Sequence, residues 1–243
     1  MPTYREEAVV LRTHKLGEAD RVVSLLTRGR GRVRAVARGV RRTSSRIGAR
    51  LEPFSHVDVL LYEGRSLDTV TQVDSIAGLG ASLSGDYGRW TAGTAMLETA
   101  ERLTPAEREP AVQQFALLIA GLRALAAAEH DAGLILDAYL LRSVAVAGWS
   151  PSFTDCAQCG APGPHRAFAV ASGGMVCAAC RPAAAAAPAA ATVALLGALL
   201  SGDWSTADGS APRDRREAST LVAAFLHWHL ERGLRSLPLV DRG

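Results

Sequence analysis

All four cysteines of the 243-residue chain fall in two pairs, Cys156-Ala-Gln-Cys159 and Cys177-Ala-Ala-Cys180, with seventeen residues between them. A two-residue gap lets one tight turn present two sulfurs to a single ion, and the interval between the pairs is that of a paired CxxC zinc site. Gly160, directly after the first pair, can adopt the positive φ that such a turn often needs. Four thiolates would surround one Zn2+ at about 2.3 Å and leave no open position for water, so the ion would organise the fold and carry no reaction. Two disulfides or a redox dithiol are the competing readings. The first belongs to an oxidising compartment, and the second needs only one CxxC beside a sheet. His165 is an alternative ligand by residue type, and Phe168 and Met175 in the intervening loop read as a small core.

A second chemistry lies in the basic residues. The first 50 residues hold 13 Lys or Arg against Glu6, Glu7, Glu18 and Asp20, whereas the remaining 193 hold 14 basic and 20 acidic groups. An N-terminal surplus of nine charges on a chain of net +3 points to a polyanion, with nucleic acid ahead of an anionic membrane surface. Arg30, Arg32 and Arg34 alternate, so a strand here would turn all three guanidinium groups to one face while Val33, Ala35 and Ala37 pack inward. Gly39 then opens a loop carrying Arg38, Arg41, Arg42 and Arg46, with Ser44 and Ser45 as added donors to phosphate oxygens. Arg12 and Lys15 extend the candidate set. Thirteen bases against four local acids is too unequal for a balanced ion-pair lattice. If about six of these cations neutralise phosphates on a single strand, log affinity should fall with log salt at a slope of about −4. Tyr4, Phe54 and Tyr62 are the only aromatics in the first 80 residues, so base stacking should be secondary; Phe54 and Tyr62 read as core.

No catalytic centre stands out. The histidines at 14, 56, 130, 165, 227 and 229 are scattered, and there is no HExxH, Walker loop, GxSxG or clustered set of carboxylates. A metal-dependent nuclease built from distant acids remains one alternative. A zinc-ribbon module that touches nucleic acid through its cysteine segment is another, but His165 and Arg166 are the only basic side chains in that loop. The start, Met-Pro-Thr-Tyr-Arg-Glu-Glu, lacks the apolar run of a secretory signal, so the cytoplasm is the expected location. The uncharged stretch from Pro182 to Leu200 is alanine-rich and broken by Pro188, which argues for a linker and helix and against a membrane span.

The elements that must position these groups change character along the chain. Five strand candidates, Tyr4 to Thr13, Arg21 to Thr27, Gly31 to Ala37, Leu51 to Tyr62 and Asp68 to Val73, suit a small closed sheet. The oligonucleotide-binding OB barrel leads and an SH3-like barrel is its rival. From about Ser82 the apolar period becomes helical, with Trp90, Leu97 and Ala100 able to share one stripe. Thr104, Pro105 and Glu107 resemble a capping box opening a short turn. Helices are expected from Pro110 to about Ala128 (stripe Val112, Phe115, Ile119, Leu122, Ala126), Asp131 to Ala147, Thr192 to Leu200 and Arg213 to Arg232. The predicted architecture is therefore α+β and multidomain: a five-stranded OB-fold barrel over 1–80, then an α-helical domain over 81–243 with a four-cysteine zinc-finger-like segment inserted at 150–182.

These motifs, in order, resemble the RecO family over nearly the whole chain. The resemblance runs through Val10-Leu-Arg-Thr-His-Lys-Leu-Gly-Glu-Ala-Asp-Arg21, then Ala37-Arg-Gly-Val-Arg-Arg42 with Ser45-Arg46 and Leu51-Glu-Pro-Phe54. It continues at Leu140-Leu-Arg-Ser, Gly148-Trp-Ser-Pro151, Asp155-Cys156, Cys159-Gly160 and Leu234-Arg-Ser-Leu237. The resemblance implies a recombination mediator of DNA repair that catalyses no reaction. Such a protein would bind single- and double-stranded DNA, anneal complementary strands and act with RecR, and with RecF in the same pathway. Its task would be to load RecA onto DNA coated by single-strand DNA-binding protein, in the cytoplasm at the nucleoid. Many members lack the four cysteines, which implies a structural role for zinc. For the acidic tail of single-strand DNA-binding protein no motif is visible; Arg123, Arg142 and Arg232 are the candidates on the helical part.

Overall fold

The computed structural model describes residues 2–42, 45, 47–230 and 233–240. Two compact units divide it, residues 1–128 and 129–243. The first begins with five strands: β1 (Thr3–Leu16), β2 (Asp20–Thr27), β3 (Gly31–Ala37), β4 (Ser55–Tyr62) and β5 (Asp68–Gly78). They close into a barrel of order β1-β2-β3-β5-β4, with β4 returning antiparallel to β1 and a short parallel contact of β3 with β5 at Ala35–Asp68 and Val36–Thr69. That is the five-stranded Greek-key arrangement of an OB barrel. Period-two alternation builds its interior. Ala8, Val10, Val23, Leu25, Val33, Ala35, Val57, Val59 and Leu61 face one another inside and exclude water, while their strand neighbours face outward. A bulge in β1 between Val10 and Arg12 resets the register, so that Arg12 lies opposite Ser24 and Lys15 opposite Arg21.

The fourth strand starts later than the expected Leu51. Gly48–Leu51 forms a 3-10 turn, and Phe54 sits at φ 69, outside the extended region, so pairing begins only at Ser55. Phe54 is core as expected, but Tyr62 is 43% exposed at the end of β4.

Three helices complete this unit: α1 (Leu79–Leu83), α2 (Tyr87–Leu103) and α3 (Val112–Ala127). The change from strand to helix falls at Gly78–Leu79, whereas contact density divides the chain only after α3. Asp86 caps α2 by accepting the Arg89 amide. Leu97 and Ala100 are buried, but Trp90 remains 40% exposed, edge-on to Phe54 at 4.8 Å between ring centres. On α3 the buried stripe is Phe115, Leu118, Ile119, Leu122 and Leu125, and Val112 is exposed. The expected capping box at Thr104 is instead the end of α2: the Thr104 hydroxyl donates back to the Ala100 carbonyl at 2.7 Å, and the chain to Ala111 is not helical.

The second unit contains α4 (Ala132–Val146), β6 (Ala167–Ala169), β7 (Gly174–Val176), α5 (Ala190–Ser201), α6 (Trp204–Asp208) and α7 (Pro212–Leu230). α4 packs on α5 and α7, burying Leu136, Leu140 and Val144 on its side and Val222 and Phe225 on α7. Within that core the buried Asp137 accepts the Ser219 hydroxyl. Among the described residues no helix is long and apolar enough to cross a membrane.

Candidate nucleic-acid interface and metal centre

The two CxxC pairs converge. Their four Sγ atoms lie within 4.8 Å of one another, and all four cysteines are free of disulfides. The β6-β7 hairpin brings them together, with Phe168 opposite Met175 and both buried as a small core. Each pair sits on a tight turn, closed by the Gly160 amide on the Cys156 carbonyl at 2.8 Å and by the Cys180 amide on the Cys177 carbonyl at 3.2 Å. Gly160 takes φ 73, the left-handed conformation the turn requires. Sulfurs tetrahedral about an ion at about 2.3 Å would stand about 3.8 Å apart, and Cys159 Sγ lies 3.8 Å from Cys177 Sγ. The donor set therefore fits a four-thiolate ion. Backbone amides, that of Cys177 first, favour the Cys156 thiolate and lower its pKa to about 6; the neighbouring sulfurs, Cys177 first, push Cys180 up to about 12. His165 is outside the cluster: its Nε2 is 2.9 Å from the Ala161 carbonyl oxygen.

The thirteen basic residues of the first 50 do not present a uniform face. Five pair with carboxylates: Arg5 with Asp58 and Asp74, Arg12 with Glu101 at 3.6 Å, Arg21 with Glu52, Arg28 with Glu7 at 3.2 Å, and Arg34 with Glu107. Three donate to backbone carbonyls, Arg32 to Pro105, Arg41 to Gly17 and Glu18, and Arg50 to Val73. Arg30 precedes β3 and lies over the Tyr4 ring, 3.9 Å from its centre. The expected ladder on β3 thus has its two outward rungs, Arg32 and Arg34, engaged by the α2-α3 connection. Most of the neutralising acids come from beyond residue 50, which a count of local charges could not register.

Of the four that remain, Arg46 lies outside the described residues, and Lys15, Arg38 and Arg42 are exposed and without a polar side-chain contact among the described residues. The fold gathers them with Arg41. The Gly39 amide donates to Asp20 Oδ1 at 2.7 Å and the Arg41 amide to the Ala19 carbonyl at 3.0 Å, which fastens the loop after β3 to the β1-β2 turn. Lys15 faces Arg21 directly across that hairpin, a like-charge pair that Glu52 relieves on the Arg21 side. The result is a rim of cations on one end of the barrel. Ser44 and Arg46 lie outside the described residues, as does Arg232; Arg123 is on α3 in the first unit, and Arg142 on α4 donates to the Leu199 carbonyl at 3.0 Å.

Sequence reasoning missed the anchor of the α2-α3 connection. Asp68, fully buried at the start of β5, accepts from Arg108 Nη2 at 2.6 Å, from the Gly64 amide at 2.9 Å and from the Tyr4 hydroxyl. Burial, and then the bond to Asp68, raises the Tyr4 pKa well above the usual phenol range. Arg108 itself adopts φ 61, and its amide donates to the Arg32 carbonyl at 2.9 Å, so the connection runs along β3. Gly31 makes that approach possible: at φ +63, a Cβ there would stand 1.7 Å from the Glu109 carbonyl oxygen. The aspartate that opens this strand was the one visible signal, since a carboxylate buried there needs a cation.

Fold and site together define a class: an OB barrel with a cationic rim, joined to a helical unit that carries a four-cysteine cluster with the spacing to hold a metal ion. Comparison with known proteins narrows it. The family model for the Recombination protein O N terminal matches residues 1–79, and that for the Recombination protein O C terminal matches residues 84–238. Similar chains, each named DNA repair protein RecO, include one from Nocardioides sp. (63% identical; 98% of this chain, 99% of that one), one from Thermobifida fusca (62%, all of both chains) and one from Streptomyces avermitilis (60%, all of both). The chain belongs to the RecO family of DNA repair proteins, a family of mediators and not of known enzymes.

Proposed function

We propose that this chain is a non-catalytic recombination mediator that binds single- and double-stranded DNA through the rim of its N-terminal barrel and anneals complementary strands. With RecR it helps load RecA onto DNA coated by single-strand DNA-binding protein, in the RecF pathway and in the cytoplasm. The observation that carries the reading is the rim itself: Lys15, Arg38 and Arg42, without polar side-chain contacts among the described residues, beside Arg41, on a barrel of the oligonucleotide-binding class. Cations held on two strands' phosphates lower the repulsion that opposes annealing, and binding without turnover suffices. Contacts confined to phosphates carry no sequence information, so little sequence preference is expected. Four such contacts on a single strand give a log-log salt slope of about −3. One Zn2+ held by Cys156, Cys159, Cys177 and Cys180 would fix the β6-β7 module and leave the DNA surface untouched.

The test is annealing of complementary single strands coated with single-strand DNA-binding protein. The intact protein is compared with a Lys15, Arg38, Arg42 to Ala variant of unchanged thermal stability. Annealing by the first and not by the second is the expected result. No annealing by the intact protein overturns the mediator reading, and equal annealing by both moves the DNA surface away from the rim.

A further inference from the structure

Arg34 and Arg32 sit on the same outer face of β3, but their partners differ in a way that matters for a bound strand. Arg32 donates to the Pro105 carbonyl, a backbone acceptor, and its own carbonyl receives the Arg108 amide at 2.9 Å. Neither group can leave without moving the connection, and the connection is held by Arg108 on the buried Asp68 at 2.6 Å. Among the described residues the polar partner of the Arg34 side chain is another side chain, the Glu107 carboxylate. The Arg34 and Glu107 side chains are 49% and 31% exposed, so water already reaches the pair and the carboxylate can turn outward while the backbone stays in place.

We propose that Glu107 occupies the position of a phosphate on Arg34, and that a nucleic-acid strand running from the cationic rim across β3 displaces it and takes Arg34 as a further contact. This inference rests on the reading of the rim as a phosphate-binding surface. Proximity in the chain supports the path: Arg34 is the exposed outward residue of β3, and the exposed Arg38 opens the turn directly after that strand, at most about 13 Å along at about 3.3 Å per residue. Carboxylate and phosphate present the same anionic oxygens to a guanidinium fork, so the exchange keeps Arg34 paired while the freed Glu107 is solvated. Glu107 is then a competitor that weakens binding, and Arg32 is a structural residue that DNA does not recruit.

The experiment measures binding of a fluorescent single strand by anisotropy at low salt. It compares the full chain with Glu107→Gln, Arg34→Ala, the double variant, and Glu109→Gln as a control for loss of a negative charge on the same exposed connection. An exposed ion pair is worth about 0.2–1 kcal/mol, so Glu107→Gln should tighten binding up to about fivefold. Arg34→Ala should weaken binding, Glu109→Gln should leave it unchanged, and Glu107→Gln should give no gain once Arg34 is alanine. Equal gains from Glu107→Gln and Glu109→Gln, a gain that persists without Arg34, or no effect of either Arg34→Ala or Glu107→Gln would overturn the proposal while leaving the rim intact. Absence of binding by the unmodified chain would instead remove the rim reading on which it rests.

Discussion

Replacing Arg108 by alanine tests whether the α2-α3 connection is fixed by one buried ion pair. Asp68 has no exposed surface, and among the described residues Arg108 supplies its one ion pair, 2.6 Å away, with the Gly64 amide and Tyr4 hydroxyl as neutral donors. Removing one partner of a buried pair costs about 3–5 kcal/mol. Two neutral donors remain, and the Arg108 side chain is 37% exposed, which brings the expected loss to about 2–3 kcal/mol. For a unit of this size that is a fall in Tm of about 10 °C. The backbone provides an internal control. Arg108 sits at φ 61, where any residue with a Cβ is strained by about 1 kcal/mol and glycine is not. Arg108→Gly should therefore be about 1 kcal/mol less destabilised than Arg108→Ala, the reverse of the order in a helix. Urea unfolding of the full chain gives both values, and hydrogen exchange should place the loosened amides at residues 64–69 and 104–111. An alanine variant within about 0.5 kcal/mol of the unmodified chain, or a glycine variant worse than alanine, would refute the argument.

Gly31→Ala should destabilise the first unit by more than about 2 kcal/mol, because the new Cβ meets the Glu109 carbonyl at 1.7 Å in a backbone conformation that alanine also resists; thermal denaturation checks it. Tyr4 gives a pH signature. Its folded pKa is raised, so its contribution is fully present below the unfolded value near 10 and is lost as pH climbs from there toward the folded value. Tyr4→Phe should flatten the fall in stability of the first unit above pH 10, read by denaturant titration at several alkaline pH values. The purified chain should carry one zinc per molecule by elemental analysis, lost in Cys156→Ser with Cys177→Ser, and chelation should loosen the β6-β7 hairpin in hydrogen exchange without changing the rim's affinity for DNA.

Much of the architecture was legible because it depends on local periodicity. Val33, Ala35 and Ala37 alternate with Arg32, Arg34 and Val36, and β3 has the expected bounds, Gly31–Ala37. The cysteine spacing foretold the cluster for a similar reason: a CxxC turn is a local object, and two of them need only a hairpin to meet. The failures fall where a distant contact decides. Thr104-Pro105-Glu107 carries the side chains of a helix start, yet Thr104 closes α2 and Glu107 goes to Arg34, 73 residues away in sequence. Leu51 looks like strand, yet the 3-10 turn ending there and the positive φ of Phe54 delay β4 to Ser55.

The basic segment shows why net charge identifies a partner better than it identifies a binding residue. A surplus of cations within 50 residues sets the field of the barrel whichever acids lie nearby, and that field is what a polyanion meets at long range. Which guanidinium groups can also form a contact depends on what the rest of the chain has already placed against them. Here Glu52, Asp58, Asp74, Glu101 and Glu107 reach back from beyond residue 50 and occupy arginines that the local count left free. Their removal from the contact surface confines the open cations to the end of the barrel where the β1-β2 turn and the loop after β3 are tied together. A rim of this kind offers phosphates donors that cost no broken ion pair, whereas each rung on β3 must first exchange a partner. Binding should therefore begin at Lys15, Arg38, Arg41 and Arg42 and extend to Arg34 only with a strand long enough to span the gap, so oligonucleotides of increasing length should show a step in affinity that Arg34→Ala removes.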